Sequence, residues 1–449
     1  MKKTIIVLLT LITFQINAQC YQIISTGDNH TVAIKTDGTL WAWGRNNKGQ
    51  LGDGTTVNKT SPVQIGTDTH WKTVAAGYQY TIALKNDNSL WAWGFNSNGQ
   101  LGDGTIIDKN TPTQIGIATN WSKISAGYLH SIAIKIDGTL WAWGQSGGVL
   151  GDGTNLMRSS PVQIGIDTNW QIATIGTYHT TALKTDGTLW TWGYNNYGQL
   201  GDGTNNNKNT PMQIGVATDW ISVVNGYSHT TALKSNGTIW SWGYNNFGQL
   251  GDGTNTDKNS PAQISTASDW QKISSSNSHV FGVKVNGTLW AWGEDTYSVL
   301  GDGTTNSQNT PIQITSQTNY QNIWTGGSHA FSYSTDGTYK CWGLNGYGQL
   351  GLGSNTVLFT TPTSYVCSSM KNESFVTNKN LIYLYPNPSN DEFTIYGIED
   401  STNYQIINSL GQLIQSGKAL PNTKIKAINL SKGIYYLLMN EQTLKLIMD

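Results

Sequence analysis

Seven copies of one motif, spaced 50, 50, 49, 50, 50 and 50 residues apart, run through most of this chain. The tetrapeptide Trp-Ala-Trp-Gly starts at Trp41, Trp91 and Trp141, with close variants at Trp190, Trp240 and Trp290 and a degraded copy at Lys340. Leu-Gly-Asp-Gly-Thr follows at Leu51, Leu101, Leu150, Leu200, Leu250 and Leu300, and reads Leu-Gly-Leu-Gly-Ser at Leu350. An aromatic opens each unit, from Tyr21 to Tyr320, and a proline closes each, from Pro62 to Pro362. Between them lie His30, His130, His179, His229, His279 and His329, with Tyr80 in the second copy. A unit this short cannot bury its apolar faces alone, so successive units must stack on one another.

Each unit reads as four short strands; in the second they fall near 72–75, 81–85, 89–93 and 113–115. Asp37-Gly38, Asp137-Gly138, Asp186-Gly187, Asn236-Gly237, Asn286-Gly287 and Asp336-Gly337 separate the second and third strands. Such pairs between apolar runs signal a tight hairpin with positive φ at both central residues. Hairpins make antiparallel sheets, which excludes a parallel β-helix. A four-stranded sheet recurring every 50 residues is a propeller blade, so the expected fold is all-β: a seven-bladed β-propeller over 20–367.

Composition narrows the function. Charged residues are 12% of the chain, the net charge is -1, and no Lys/Arg cluster exceeds the pair Lys2-Lys3. Nucleic-acid binders carry basic patches, so no nucleic-acid partner is expected. Lys2-Lys3, the apolar run 4–16 and Asn17-Ala18-Gln19 read as a signal peptide over 1–19. Gln19 is too large and polar for a lipoprotein signal at Cys20. No other segment approaches 18 consecutive apolar residues, so no transmembrane segment is expected in the mature chain.

The run His-[Thr/Ser], Asp-Gly-Thr-Leu-Trp-x-Trp-Gly-x-Asn-x-x-Gly-Gln-Leu-Gly-Asp-Gly-Thr, fullest at 179–204 and 229–254, resembles the regulator-of-chromosome-condensation repeat. The resemblance spans about 21–367 and implies a closed ring of seven blades. It does not carry over the founder's guanine-nucleotide exchange. That activity uses a wedge inserted in one blade, and every unit here has 49 or 50 residues. Exchange activity therefore remains a remote alternative, by family name only. The family's ultraviolet-B photoreceptor uses a tryptophan where this chain has Asp28, Tyr78, Tyr128, Thr177, Tyr227, Asn277 and Gly327. The family's secreted bacterial members imply protein binding through one face.

Residues 368–380 read as a linker. Beyond them, Tyr385-Pro386-Asn387-Pro388, Phe393-Thr394-Ile395, Ser409-Leu410-Gly411-Gln412-Leu413-Ile414 and 428–437 resemble the type A sorting domain of type IX secretion. This implies a small β-sandwich over 381–449, handled by the type IX machinery, and a secreted or outer-surface location. Cys20 precedes the first unit and Cys367 ends the last; in a closed ring these ends meet, so a Cys20–Cys367 disulfide is expected, with Cys341 left as a buried free thiol.

No nucleophile–base pair, phosphate loop or zinc spacing stands outside the repeating columns, so neither catalysis nor a cofactor is expected. The six histidines lie on different blades, too far apart to share a metal. Asp53 and its equivalents read as turn residues without a second carboxylate, and the Lys35 column as solvated strand ends. Function should then lie where the blades differ. The residue after Trp-x-Trp-Gly is Arg45, Phe95, Gln145, Tyr194, Tyr244, Glu294 or Leu344, the loop beyond adds Tyr197, Phe247, Tyr297 and Tyr347, and the column before the histidine adds Tyr78, Tyr128, Tyr178 and Tyr227. Tyr gives large contact area at low entropy cost. The expected role is an extracellular or cell-surface module holding a protein on one propeller face; the alternative is an adhesive surface protein that holds extracellular glycan.

Overall fold

The computed structural model describes residues 20–145, 147–365, 383–385, 392–396, 400–408, 412–421, 423–428, 430–439 and 442–448. The leader 1–19, the linker 368–380 and Cys367 lie outside them. The chain divides into two compact units, 1–369 and 370–449.

The first unit is seven four-stranded antiparallel sheets, each built from consecutive strands. Blade one comprises β1 (Tyr21–Thr26), β2 (His30–Lys35), β3 (Leu40–Gly44) and β4 (Lys59–Gln64), and blade two repeats it as β5 (Trp71–Ala76), β6 (Tyr80–Lys85), β7 (Leu90–Gly94) and β8 (Lys109–Gln114). The first strand of each blade faces the central channel and the fourth lies at the rim. The fourth strand starts earlier than the sequence suggested, at Lys109 rather than 113, and carries Pro112. Its register slips between Ala92 and Gly94 of its neighbour. A proline lacks an N–H and fits only such a bulged edge strand.

The hairpins between second and third strands form, but with three-residue loops. Lys35 N–H bonds Thr39 O at 3.0 Å and Gly38 N–H bonds Lys35 O at 3.0 Å, with only Gly38 at positive φ (80°). This is a type I turn closed by a left-handed residue, not the two-residue turn expected. In blade two Asn88 takes the left-handed place at φ 62°.

One interlock recurs between blades and explains two motifs together. The second tryptophan of each Trp-x-Trp-Gly is fully buried. Trp143 Nε1 donates to Gln100 O of the preceding blade at 2.9 Å, and Trp43, Trp242, Trp292 and Trp342 do the same. Gly102, at φ +79°, must be glycine: a Cβ there would stand 2.7 Å from Trp143 Nε1. Leu-Gly-Asp-Gly is thus the seat for the next blade's indole. Each buried indole removes on the order of 200 Å² from water, worth about 5 kcal/mol before entropy costs.

The histidines form a second seam. Each is buried, and His30, His130, His179 and His329 place Nε2 2.9–3.2 Å from a threonine hydroxyl on the next blade. His229 uses Ser275 at 3.1 Å. Tyr80 substitutes by donating its hydroxyl to His130 O at 2.6 Å. The same bonds join blade seven to blade one: Trp43 to Gln349 O at 2.9 Å, and His329 to Thr31 at 2.9 Å. The ring therefore closes without exchanging a strand. Tyr21, Trp43, Phe331, Tyr339 and Tyr365 pack at that joint, where the hydroxyls of Tyr21 and Tyr365 lie 3.2 Å apart.

The lysine column is not solvated as the sequence suggested. Lys85 Nζ lies 3.7 Å from the Trp91 ring and 4.9 Å from Trp71, and pairs with Asp68 at 2.7 Å. An ammonium over an indole face is attracted by its quadrupole. Cys341 is a buried free thiol, and burial pushes it up to about 12.

The second unit pairs a three-stranded sheet (Tyr383–Tyr385, Glu392–Tyr396, Lys424–Lys426) with a four-stranded one in the order Leu413–Ala419, Thr402–Asn408, Gly433–Met439, Gln442–Met448. Alternate residues Thr402, Tyr404 and Ile406 turn inward, as the period of two in a strand requires. Tyr404 and Ile406 meet Phe393, Ile395 and Leu437 in one core. Among the described residues no helix is long and apolar enough to cross a membrane.

Candidate functional site

Antiparallel pairing sends two kinds of loop to one face. Strands two and three pair His30 with Gly44, so the turn before His30 and the loop after Gly44 emerge side by side. A backbone bond ties them in every blade, as from Arg45 N–H to Asn29 O at 2.9 Å and from Tyr194 N–H to Tyr178 O at 2.8 Å. Arg45, Phe95, Gln145, Tyr194, Tyr244, Glu294 and Leu344 accordingly form a half-buried ring on a single face. Inside that ring the first turns surround the channel mouth, a cavity of about 160 Å³ lined by Asp28, Tyr78, Tyr128, Thr177, Tyr227 and Asn277 among others.

The tyrosines of this face touch one another. The rings of Tyr78 and Tyr128 lie 4.0 Å apart, Tyr128 and Tyr178 6.2 Å, Tyr178 and Tyr227 6.2 Å, and Tyr178 and Tyr194 5.4 Å. They make one aromatic arc over blades two to five. Tyr244 gathers Tyr197 at 4.8 Å and Phe247 at 6.2 Å into a second cluster farther out. Arg45 lies 5.0 Å from the Tyr347 ring, and Lys48 Nζ 4.8 Å from that of Phe95. Gln145, Glu294 and Leu344 share the ring but join no aromatic contact among the described residues.

Beside the blade-two end of the arc stands Asp28, its N–H 3.4 Å from Gly77 O. Gly327 of blade seven makes room for it: a Cβ there would lie 2.2 Å from Asp28 Oδ1. Burial pushes the Asp28 carboxyl up to about 6, against the opposing pull of the Arg45 charge and the Asn29 amide. Burial raises the Tyr128 phenol, and the Asp28 charge adds to the effect. The mouth therefore carries an aromatic arc with one carboxyl at its end. The sequence put Asp28 in one column with Tyr78, Tyr128 and Tyr227, but not its burial against Gly327, because its neighbours there come from blades 50 and 300 residues away.

A second feature escaped the sequence reading. In blades one, two, four, five and seven a buried asparagine organises the outer loop: Asn46 Oδ1 accepts from Leu51 N–H at 3.0 Å, while its Nδ2 donates to Asp53 Oδ1 at 3.0 Å, Thr55 O at 3.1 Å and Val57 O at 3.2 Å. Lys59 then neutralises Asp53 at 3.2 Å. The expectation that no second carboxylate accompanies these aspartates fails in blade six, where the asparagine is Asp295. Burial, and then the nearby Asp302, push its carboxyl up to about 7, although Leu300 N–H opposes the shift. The readable signal was the departure from the column itself.

Comparison with known proteins agrees with this architecture. The Regulator of chromosome condensation (RCC1) repeat family matches residues 37–84, 87–134, 186–233, 236–283 and 286–332, and a Secretion system C-terminal sorting domain matches 383–448. Among curated relatives, Protein RCC2 of Mus musculus is 47% identical over 47 residues, covering 10% of this chain and 9% of its own. Ultraviolet-B receptor UVR8 of Arabidopsis thaliana is 48% identical over 42 residues, 9% of this chain and 10% of its own. The chain thus spans about a tenth of the length of the curated relatives it matches. The crystal structure of human WBSCR16 superposes with a TM-score of 0.66 at 19% identity, over 73% of this chain and 94% of that one. Prp20p from Saccharomyces cerevisiae gives 0.65 at 19% identity, over 81% and 90%. Those likenesses establish the fold. The chain belongs to the regulator of chromosome condensation (RCC1) repeat family and carries a C-terminal sorting domain of type IX secretion.

Proposed function

We propose that this is an exported, non-catalytic binding module that holds a partner protein on the face around the channel mouth. On this reading 1–19 direct export, 20–367 form the working propeller, 368–380 link it onward, and 381–449 engage the secretion machinery. The observation that carries the proposal is the tyrosine arc of Tyr78, Tyr128, Tyr178, Tyr194 and Tyr227. Tyr178 and Tyr194 rest one side against a blade core, while the arc as a whole keeps its rings at the mouth. Tyr227 keeps 44% of its surface in water. Rigid aromatics beside a carboxylate suit protein recognition, where a few Tyr, Trp and Arg side chains carry most of the energy.

The test is capture by the full exported chain from surface extracts, beside a Tyr128→Ala, Tyr178→Ala, Tyr227→Ala variant checked for an unchanged denaturation midpoint. A protein held by the parent should lose at least about 30-fold in affinity, the loss of one hot spot. Retention by the folded variant would refute this face. Release by soluble polysaccharide would instead favour the adhesive, glycan-holding alternative.

A further inference from the structure

Blade six breaks the charge pattern of its outer loop twice, and in the same direction. In blades one, two, four and five the buried amide is neutral and the aspartate it meets is paired with a cation: Asn46/Asp53/Lys59, Asn96/Asp103/Lys109, Asn195/Asp202/Lys208 and Asn245/Asp252/Lys258, with salt bridges of 3.0–3.5 Å; blades two and five add Asp108 and Asp257, which accept from the asparagine backbone N–H. Blade six has Asp295, Asp302 and Gln308. A carboxylate replaces the amide and an amide replaces the cation. No salt bridge reaches Asp302 among the described residues, and Gln308 Nε2 bonds Asn306 O at 3.2 Å instead.

The loop itself is unchanged. Leu300 N–H still bonds Asp295 Oδ1 at 2.9 Å, Thr304 N–H bonds Asp302 Oδ1 at 2.8 Å, and Asn306 N–H bonds Thr304 Oγ1 at 3.1 Å. The second oxygen of Asp295 therefore occupies the place where the other blades put an NH₂ donor. In blade one that donor meets acceptors, Asp53 Oδ1, Thr55 O and Val57 O, and in blade six Asp302 takes the place of Asp53 beside Asp295. Asp295 is 0% exposed, and its Oδ2 has no hydrogen-bond partner. A buried oxygen left unpaired among oxygens is costly unless something positive lies between them.

We propose that this loop is a calcium-class divalent cation site, with Asp295 Oδ2, the Asp302 carboxylate and the carbonyls of Thr304 and Asn306 as ligands. No group of three or more His, Cys, Asp or Glu occurs among the described residues, so carboxylates alone do not make the site; backbone carbonyls complete it, as is usual for calcium. Two negative charges without a lysine match a divalent ion. In blade one the equivalent oxygens converge on the Asn46 amide nitrogen at 3.0–3.2 Å; in blade six Asp295 Oδ2 joins them as a further oxygen, and the ion would sit between it and them. Magnesium, which demands a tighter octahedron, fits an irregular loop less well. The ion would brace the loop carrying Glu294 and Tyr297 on the proposed binding face, but the site stands independently of that reading.

The experiment titrates Ca²⁺ into the full chain by calorimetry, with the thermal midpoint followed in Ca²⁺ and in chelator, and repeats both with Asp295→Asn. That variant restores the residue five other blades use, so it should fold. One ion per chain, with a dissociation constant on the order of 10⁻⁴ to 10⁻³ M, and a calcium-dependent rise in midpoint that Asp295→Asn abolishes, are expected. Gly301 packs against Trp342 Nε1, so Tb³⁺ luminescence excited through tryptophan should appear in the parent and vanish in the variant. Absence of uptake, or equal uptake by parent and variant, would overturn the proposal; the two carboxyls would then share a proton.

Discussion

Acid should unfold this propeller well before its carboxylates are exhausted, and the reason lies in the histidine seam. Burial pushes five of the six motif imidazoles down to about 3, and His179 to about 4. In His30, His130, His179, His229 and His329, Nε2 already meets a hydroxyl and Nδ1 has no partner. A second proton has nowhere to go. The folded value lies below the unfolded value of 6.5, so the stabilising effect is complete above pH 6.5 and is lost as pH falls, because the unfolded chain takes up protons that the folded chain refuses. At pH 5 each histidine costs about 2 kcal/mol by linkage, and six cost about 12 kcal/mol, comparable to the 5–15 kcal/mol that holds typical domains together. Asp28 and Asp295, whose carboxyls are raised, bind protons in the folded state over part of this range and offset about two of the six. The net slope should be about 5 kcal/mol per pH unit near pH 5. Denaturant midpoints from pH 8 to 5 at fixed ionic strength, read by tryptophan fluorescence, measure it. All 19 tryptophans lie in the propeller, so the signal reports that unit. His179→Gln should reduce the slope by about 1.4 kcal/mol per pH unit. A stability flat between pH 7.5 and 5.5, or a slope unchanged in the variant, would refute the argument.

Two further outcomes follow from particular contacts. Asp28 is an acid whose folded value lies above its unfolded value, so its contribution is lost as pH rises through about 6; Asp28→Asn should raise stability at pH 8 by up to about 3 kcal/mol in urea denaturation, and no gain would mean the carboxyl is better solvated than its place against Gly327 implies. The proposed Cys20–Cys367 disulfide should appear in peptide mapping without reductant, since the neighbouring Tyr21 and Tyr365 hydroxyls lie 3.2 Å apart. Its reduction should lower stability by about 4–5 kcal/mol through loop-closure entropy. Cys341 should resist iodoacetamide until the chain unfolds, and native labelling at Cys341 would contradict its burial.

The repeat made the architecture legible before any coordinates. Period, hairpin signals and the count of units are local properties, and seven units that each need two neighbours imply a ring. The C-terminal strands were readable from short alternating segments, and the sorting domain from the resemblance of those segments to a known family. What the sequence could not decide was anything set between blades. The seat that Leu-Gly-Asp-Gly makes for the next blade's tryptophan, the lysines resting on indoles, and the three-residue hairpin loops all depend on partners or geometry that a linear pattern leaves open. The same holds for the binding face. Arg45, Phe95, Tyr194 and Tyr244 were visible as variable positions, but only antiparallel pairing put them beside Tyr78, Tyr128, Tyr178 and Tyr227. Asp28 and Asp295 gain their meaning from burial among groups brought from distant turns or from a loop closing on itself, because a carboxylate's energy depends on what surrounds it in space.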